Sequence, residues 1–339
     1  MELKVINDKG NKAVDWWFSY KLPENIKPKT GSAATFKKTS GMEYMHFEAG
    51  QSGLMTLSPN KLDQQQGALY NTLKPIYEAG HKFKDTLGWI CYNDEKPAAT
   101  TNDDEKGHTK GILAFDLKSD TAIWLLHSWP KFPDTRSKKI GSADYAQTYT
   151  CIQLKNVAAA RLIAEQMYHR QEPQTYQCRL PPSIAKNDIF YKVANLIDVN
   201  ETDPPCDVNF QSKGGEVFRL LAKNRHWAED FWIDLVGPSL KVNIDVETWR
   251  RGTVPGTEDS NNTDTTTDIL YIDMEKLGIP YEWHYTKDHS KWGISEKENW
   301  VCLADINRQT SQEKRGGGTI CFKNQKLWES LKDLEKLKQ

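Results

Sequence analysis

The triplet His-x-Lys occurs twice in this chain, as "HTK" beginning at His108 and as "HSK" beginning at His289. The two copies are 181 residues apart (289 − 108), which is close to half of the 339-residue length. In each half a second apolar strand follows about a dozen residues later, "AIWLLHS" in the first and "WVCLADI" in the second. A repeat of this length predicts two related lobes within one chain.

The remaining pattern predicts a mixed α/β (α+β) fold, with a mixed β-sheet flanked by helices in each lobe. Aromatic and apolar runs such as "VDWWFSY" (14–20) and "LGWICYND" (87–94) are typical of strands. An apolar stripe at helical spacing predicts a helix over 154–171, and helices are also expected over 216–236 and at the C-terminal end.

Two proline-rich segments, "LPPSI" and "TDPPC", lie between positions 180 and 206 and read as linkers. We therefore predict an N-terminal lobe over 1–175, which carries the first triplet, and a C-terminal lobe over 176–339, which carries the second.

The overall charge gives no general attraction for nucleic acid, since the formal net charge is −1, so any anion-binding surface must be local. No apolar stretch approaches the roughly 18 residues that a membrane helix needs, so we expect no membrane partner. The segment "MELKVINDKGNK" lacks the apolar core of a signal peptide, so we expect either a protein that stays inside a cell or a mature form.

The cysteines leave several possibilities open. There are six, and none forms the C-x2-C pair of a zinc site, so no metal or other cofactor is expected. An even number is compatible with three disulfides in an oxidising compartment, but six cysteines allow fifteen pairings. Buried free thiols are the alternative.

The doubled triplet points to a particular chemistry. Residues i and i+2 of a strand face the same side, so each histidine should project together with its lysine, Lys110 or Lys291. If the lobes pack about a pseudo-twofold axis, two imidazoles and two ammonium groups meet in one pocket. This set suits phosphodiester cleavage without a metal, since one neutral histidine attacks phosphorus and the other protonates the leaving oxygen.

The two lysines would offset the charge on the phosphate oxygens. We favour His108 as the nucleophile and His289 as the general acid. Because one histidine must be neutral and the other charged, a bell-shaped pH profile is expected, and nearby cations should move its optimum into the acid range.

Other polar residues follow the two triplets. Asp305 comes after the second and is expected to orient an imidazole, while His127 and Ser128 occupy a similar place after the first. Asp116 is either a further orienting group or a strand-end residue. The basic clusters "RSKK" (136–139) and "EKRGGG" (313–318) are either phosphate contacts or solvated loops.

The segments "GHTKGILAFD" (107–116), "DHSKWGIS" (288–295) and "ADINRQTSQEKRGGGTIC" (304–321) together resemble the deoxyribonuclease II family, which is similar to phospholipase D in carrying two His-x-Lys motifs. The resemblance covers most of the chain. It implies a phospholipase D-like fold with two pseudo-symmetric halves. It also implies an acid endonuclease that hydrolyses double-stranded DNA without a divalent metal, leaving 3′-phosphate and 5′-hydroxyl ends.

By position, His108, Lys110, His289 and Lys291 match the family's catalytic motifs. The resemblance also implies a Cys302–Cys321 disulfide, a possible homodimer around the duplex, and a secreted or endolysosomal location, periplasmic or extracellular in a bacterium.

The chain departs from the phospholipase D motif in one respect, because the aspartate expected at a fixed spacing follows neither lysine. Two alternatives remain open: a phospholipase D-like phosphodiesterase acting on a lipid or another diester, and a DNA-binding relative that has lost turnover.

Overall fold

A computed structural model describes residues 2–79, 85–97, 106–135, 140–197, 203–257 and 265–337. Its first half forms an eight-stranded sheet in which all neighbouring strands are antiparallel. In chain order its elements are β1 (Trp16–Lys21), β2 (Tyr44–Glu48), β3 (Thr56–Leu57), α1 (Gly67–Tyr77), β4 (Leu87–Asn93), β5 (Lys110–Asp116), β6 (Thr121–His127), β7 (Gln147–Leu154), α2 (Val157–Gln166) with a π-helical extension (Met167–Gln171), β8 (Thr175–Arg179) and α3 (Ile189–Ala194).

The second half forms a seven-stranded sheet and a small three-stranded one. Its elements are β9 (Cys206–Gln211), β10 (Val217–Lys223), a π-helical segment (Phe231–Val236), α4 (Gly237–Leu240), β11 (Ile244–Thr248), β12 (Thr266–Asp268), β13 (Tyr271–Asp273), β14 (Glu282–His284), β15 (Lys291–Ser295), β16 (Trp300–Ala304), β17 (Gly317–Lys323), α5 (Gln325–Leu334) and β18 (Glu335–Lys336), with short 3₁₀ turns at Glu275–Leu277, Tyr285–Lys287 and Thr310–Gln312.

The two large sheets have matching strand orders, which confirms the two pseudo-symmetric lobes. The first runs β8-β4-β5-β6-β7-β1-β2-β3 and the second β12-β11-β15-β16-β17-β10-β9. Strands β5 and β15, which begin with Lys110 and Lys291, occupy equivalent places. β5 lies between β4 and β6, and β15 lies between β11 and β16. The match fails at the edges. At one edge β8 is antiparallel to β4 whereas β12 is parallel to β11, and at the other β3 has no counterpart beyond β9.

A helix follows the equivalent strands β7 and β17, and both helices begin in the same way. The Asn156 side chain accepts a hydrogen bond from the Ala159 amide at 3.0 Å, and the Asn324 side chain accepts one from the Leu327 amide at 2.9 Å. An N-cap asparagine satisfies one of the backbone donors that the first helical turn leaves unpaired. The repeat therefore extends to the helix caps.

The lobes share one hydrophobic core, which we call the inner core. It joins the inward faces of both sheets with α2, α3 and α5, and its large members include Trp16, Phe18, Leu113, Trp124, Phe190, Phe218, Leu220, Trp292, Phe322 and Leu331. Separate clusters cover the outward faces, with α1 against the first sheet and the Phe231–Val236 segment against the second. Either lobe alone would leave its inner face in water, at a cost of about 1.5–3 kcal/mol for each large apolar side chain exposed.

One predicted element is wrong. Residues 216–236 do not form a single helix, because Val217–Lys223 is strand β10 and only Phe231–Val236 is helical. Phe218 and Leu220 face the inner core while Leu221 faces outward. A short apolar run buried on both faces of a strand cannot be distinguished from a buried helix by its periodicity.

The division predicted between 175 and 176 remains a prediction, but β8 (Thr175–Arg179) pairs with the first sheet and β9 begins the second at Cys206. In the described part of the chain, no helix has both the length and the apolar composition needed to cross a bilayer.

The disulfide implied by the resemblance is present, since Cys302 and Cys321 lie opposite each other on β16 and β17 and are bonded at 2.17 Å. The four other cysteines, Cys91, Cys151, Cys178 and Cys206, are free thiols, so three disulfides are not formed.

The paired caps generate a stability prediction. We expect Asn156→Ala and Asn324→Ala each to lower the free energy of unfolding by about 1 kcal/mol, because each leaves a helix-terminal amide unpaired. Urea denaturation followed by tryptophan fluorescence measures this. The matched control is Asn209→Ala on exposed β9, expected to change stability by less than about 0.5 kcal/mol. Equal effects at all three positions would contradict the capping role.

Candidate active site

Both lysines of the two triplets are the first residues of their strands, and each histidine lies two residues before its strand begins. The same-face argument for a strand therefore does not apply to either pair. The two triplets nevertheless lie close enough to affect each other: the charge of Lys291 helps to lower the pKa of His108, and the charge of Lys110 helps to lower that of His289. Burial is the largest cause of both shifts.

Each histidine is tied by its backbone to the opposite lobe. The His108 amide donates to the Gly316 carbonyl at 2.8 Å, and the His289 amide donates to the Ala146 carbonyl at 3.0 Å. Gly316 directly precedes β17 and Ala146 directly precedes β7, so the two contacts are equivalent under the pseudo-twofold relation. The exchange brings both triplets to one centre between the lobes.

The ring of His108 is held in one tautomer. Its Nδ1 lies 2.6 Å from the Asp305 backbone carbonyl, which can only accept, so Nδ1 carries the proton and Nε2 carries the lone pair. Asp305 was predicted to orient an imidazole, and it contacts His108 through its main chain. Its carboxylate instead accepts the Gly318 amide at 2.7 Å, and burial raises the pKa of Asp305 to about 7.

Asp94, which follows β4, was not predicted from any sequence motif. Its buried carboxylate pairs with the Lys110 ammonium, lies 3.2 Å from an Arg315 nitrogen and lies 3.6 Å from His108 Nε2. Burial alone would raise the pKa of Asp94, but the charges of Lys110, His108 and Arg315 outweigh it and hold that pKa well below its ordinary value.

The β4–β5 pairing explains why Asp94 is there, because Asn93 lies opposite Lys110 in the register. No aspartate follows either lysine at the phospholipase D spacing. The Asp94 carboxylate, which directly follows β4, nevertheless lies beside Lys110.

Arg315 lies in the predicted basic cluster 313–318 and points into the protein. Its Nε donates to the Lys106 carbonyl at 3.0 Å and one Nη donates to the Gly107 carbonyl at 3.1 Å. The guanidinium therefore binds the segment directly before His108. A Cβ at Gly316 would stand 2.7 Å from the Arg170 carbonyl oxygen, so this glycine permits close packing. The other basic cluster, 136–139, lies outside the described residues.

Aromatic rings flank His289. The Tyr145 ring stacks on the imidazole with centroids 4.0 Å apart, and the Trp249 ring lies at the same distance but tilted by 41°. Among the residues that the structure describes, none forms a hydrogen bond with the buried Nε2 of His289. Burial and the charges of Lys291 and Lys110 lower the pKa of His289 to about 2, so these two lysines disfavour protonation of the imidazole.

Three buried cations, Lys110, Lys291 and Arg315, lie at this centre. The Asp94 carboxylate pairs with two of them, and the buried carboxyl of Asp305, with a pKa of about 7, is acted on by both lysines. Among the described side chains Lys291 forms no ion pair, and its ammonium donates to a main-chain carbonyl. Buried unpaired charge is costly, so the arrangement is suited to receive an anion.

In the regions that the structure describes, no group of three or more His, Cys, Asp or Glu side chains is arranged to hold a metal ion.

The three other polar residues singled out in the sequence, Ser128, His127 and Asp116, make local structural hydrogen bonds. Ser128 is the topological counterpart of Asp305, since its amide donates to Thr148 as the Asp305 amide donates to Gly318. His127 accepts the Trp129 amide through Nδ1 at 3.1 Å. Asp116 accepts hydrogen bonds within the β5–β6 turn and is a strand-end residue. Trp129 and Trp292 are fully buried core side chains.

Comparison with known proteins agrees with this geometry. Residues 6–337 match the family model described as deoxyribonuclease II. The chain is 42% identical to the putative deoxyribonuclease-2 of Burkholderia thailandensis, over 96% of this chain and 90% of that one. It is 31% identical to the deoxyribonuclease-2 of Caenorhabditis elegans, over 95% of this chain and 90% of that one.

It is also 29% identical to the deoxyribonuclease-2-alpha of Rattus norvegicus, over 98% of this chain and 93% of that one. Among solved structures, a yeast tyrosyl-DNA phosphodiesterase aligns over 65% of this chain and 67% of that one, at 10% identity and a TM-score of 0.32, which is too remote to support an argument. The family match spans nearly the whole chain, so this protein belongs to the deoxyribonuclease II family of nucleases.

Proposed function

We propose that this nuclease is a metal-independent acid endonuclease that cleaves double-stranded DNA to 3′-phosphate and 5′-hydroxyl ends. The observation that carries the proposal is the pair of exchanged backbone contacts, His108 to Gly316 and His289 to Ala146, which bring one His-x-Lys pair from each lobe to a centre with three buried cations. A phosphodiester brings one negative charge, which would offset the unpaired Lys291.

In the first step His108 Nε2 attacks phosphorus, and the bond from phosphorus to the 5′-oxygen breaks. The tautomer supports this role, because the Nδ1 proton is held by Asp305 and the lone pair is left on Nε2. A nucleophile must also stay unprotonated in acid, and burial keeps the pKa of His108 well below 6.5.

His289 donates its proton to the departing 5′-oxygen and then accepts a proton from the water that hydrolyses the phospho-histidine. Its unpartnered Nε2 supports a role toward substrate. Two lysines oppose its protonation, and a phosphate anion bound between Lys110 and Lys291 would raise its pKa. Acidic conditions favour the same protonated form.

A requirement for acid fits breakdown of DNA outside the cell or in an endolysosomal compartment, and the periplasm would be the equivalent in a bacterium. Dimerisation around a duplex, which the resemblance implied, remains a prediction that analytical ultracentrifugation tests.

Supercoiled plasmid at about pH 5 in EDTA tests the activity, with nicking and linearisation expected. His108→Ala and His289→Ala should each lower the rate by at least about 10²–10⁴-fold, the range for loss of a positioned proton-transfer group. The matched control is His226→Ala, a change at an exposed histidine, which should retain the rate. Intact plasmid with folded wild-type protein would refute the proposal, and full cleavage by either active-site variant would refute the two-histidine mechanism.

The two acidic residues should differ in their effect. Asp94→Asn removes the counter-charge of Lys110 and Arg315, so we expect at least about a 10²-fold loss of kcat, comparable to misplacement of a reacting group. Asp305→Asn keeps both the backbone carbonyl that holds His108 and an oxygen for the Gly318 amide, so the loss should stay below about tenfold. The reverse order would show that the Asp305 side chain takes part directly.

A further alkaline limb of kcat/KM, additional to the fall that accompanies loss of the His289 proton, should appear at about pH 7. Burial and the charge of Lys110 lower the pKa of Lys291 to about 7, so its ammonium is present below that pH and lost above it. Lys291→Arg keeps its charge and should move the limb to higher pH, although the rate falls. Asp305→Asn is the control, since Asp305 also titrates at about pH 7. An unmoved limb in Lys291→Arg, with a shifted one in Asp305→Asn, would assign the limb to Asp305.

A further inference from the structure

We propose that two buried lysines outside the His-x-Lys motifs, Lys21 and Lys223, are matched positioning residues, each holding the loop that fixes one active-site histidine. The inference rests on the proposed function and deepens it, by assigning each lysine to a different chemical step.

Lys21 is the last residue of β1 and is completely buried. Its ammonium donates to the Ala143 carbonyl at 2.8 Å and to the Tyr145 carbonyl at 2.6 Å. A third bond, to the Leu22 carbonyl at 3.1 Å, uses its remaining proton. All three donors are therefore directed at main-chain oxygens, and carboxylates such as Asp288 and Asp144 act on Lys21 only electrostatically.

Lys223 makes the same contacts in the other lobe. It is the last residue of β10 and is completely buried. Its ammonium donates to the Glu313 carbonyl at 2.6 Å, the Arg315 carbonyl at 2.8 Å and the Gln312 carbonyl at 3.3 Å.

The register makes the two lysines equivalent. Lys21 lies opposite Gln147 on β7, and Lys223 lies opposite Gly317 on β17. In both lobes the lysine binds the carbonyls of the residues two and four positions before that partner, which are Tyr145 and Ala143 in one case and Arg315 and Glu313 in the other.

The loop that Lys21 holds serves His289. It presents the Tyr145 ring, which stacks on the imidazole at 4.0 Å, and the Ala146 carbonyl, which accepts the His289 amide. The loop that Lys223 holds serves His108. It presents Arg315, which binds Asp94 and the Gly107 carbonyl, and the Gly316 carbonyl, which accepts the His108 amide.

Burying a lysine ammonium without a carboxylate partner is unfavourable. The hydrogen bonds to main-chain oxygens must offset that free-energy cost. Burial lowers the pKa of Lys21 to about 7 and that of Lys223 to about 8. In the acid range both keep all three N–H donors.

The test compares two substrates with different leaving groups. Protonation by the general acid matters for the strongly basic 5′-alkoxide of DNA and matters little for nitrophenolate, whereas the nucleophile is needed for both. Because His289 also serves the later hydrolysis of the phospho-histidine, the rate compared is that of the first release of the leaving group in a single turnover. Lys21→Met should lower this rate on plasmid DNA by about 10- to 100-fold, while the burst of nitrophenolate from bis(p-nitrophenyl) phosphate slows by less than about fivefold. Lys223→Met should lower the single-turnover rate on both substrates by about 10- to 100-fold.

A loss of general stability would lower both rates equally in both variants, so the difference between substrates is the deciding measurement. The control is Ser330→Ala on α5, which removes a buried hydrogen bond to the Met55 amide outside the site and should change neither rate by more than about twofold. Urea denaturation of each variant confirms that the folded protein is assayed.

Equal losses on the two substrates in both variants, or no loss in either, would overturn the positioning roles. The opposite pattern, with only Lys223→Met sparing the nitrophenyl diester, would support the positioning roles and reverse the assignment of nucleophile and acid. Failure of the wild type on both substrates would refute the proposed function itself, which distinguishes the two failures.

Discussion

Two exchanged backbone hydrogen bonds define the relation between the lobes, from the His108 amide to the Gly316 carbonyl and from the His289 amide to the Ala146 carbonyl. A buried amide needs an acceptor, and here the acceptor belongs in each case to the opposite lobe. Neither lobe can place its own histidine without the other. The active centre is therefore a property of the packed pair, which the inner core holds together.

The symmetric backbone carries an asymmetric set of side chains. Tyr145 and Arg315 occupy equivalent positions before β7 and β17, but one stacks on His289 and the other pairs with Asp94. Asn93 at the end of β4 lies opposite Lys110, and Thr248 at the end of the equivalent β11 lies opposite Lys291. The next residues, Asp94 and Trp249, are therefore equivalent in position. One histidine thus lies among charges and the other among aromatic rings. Two histidines that perform different steps need such different surroundings.

The buried cations Lys110, Lys291 and Arg315 give this protein a local site for an anion although its overall charge is near zero. The lysines and Arg315 are held by main-chain carbonyls and by Asp94, so their positions are fixed before substrate arrives. Preorganised charges of this kind stabilise a transition state without reorganising during the reaction. The field is local, and a count over the whole sequence does not reveal it.

Much of the fold was predictable where pattern and length agreed. The strands at 14–20 and 87–94 and the helix at 154–171 follow from local preference, and the two lobes follow from the spacing of the triplets. The helix predicted over 216–236 was wrong because β10 is apolar on both faces. Asp94 was missed because its importance depends on which strand pairs with β5, and single-sequence periodicity carries no information about neighbours in a sheet.

The sequence by itself determined that two His-x-Lys triplets occupy matching places in two halves of one chain, since spacing and strand pattern are local properties. Only the tertiary structure decided that Asp305 acts through its carbonyl, that Arg315 grips the loop of His108, and that Lys21 and Lys223 support equivalent loops. Each of these contacts joins residues that are distant in the chain. Strand register and lobe packing bring them together, and neither is encoded in any single segment.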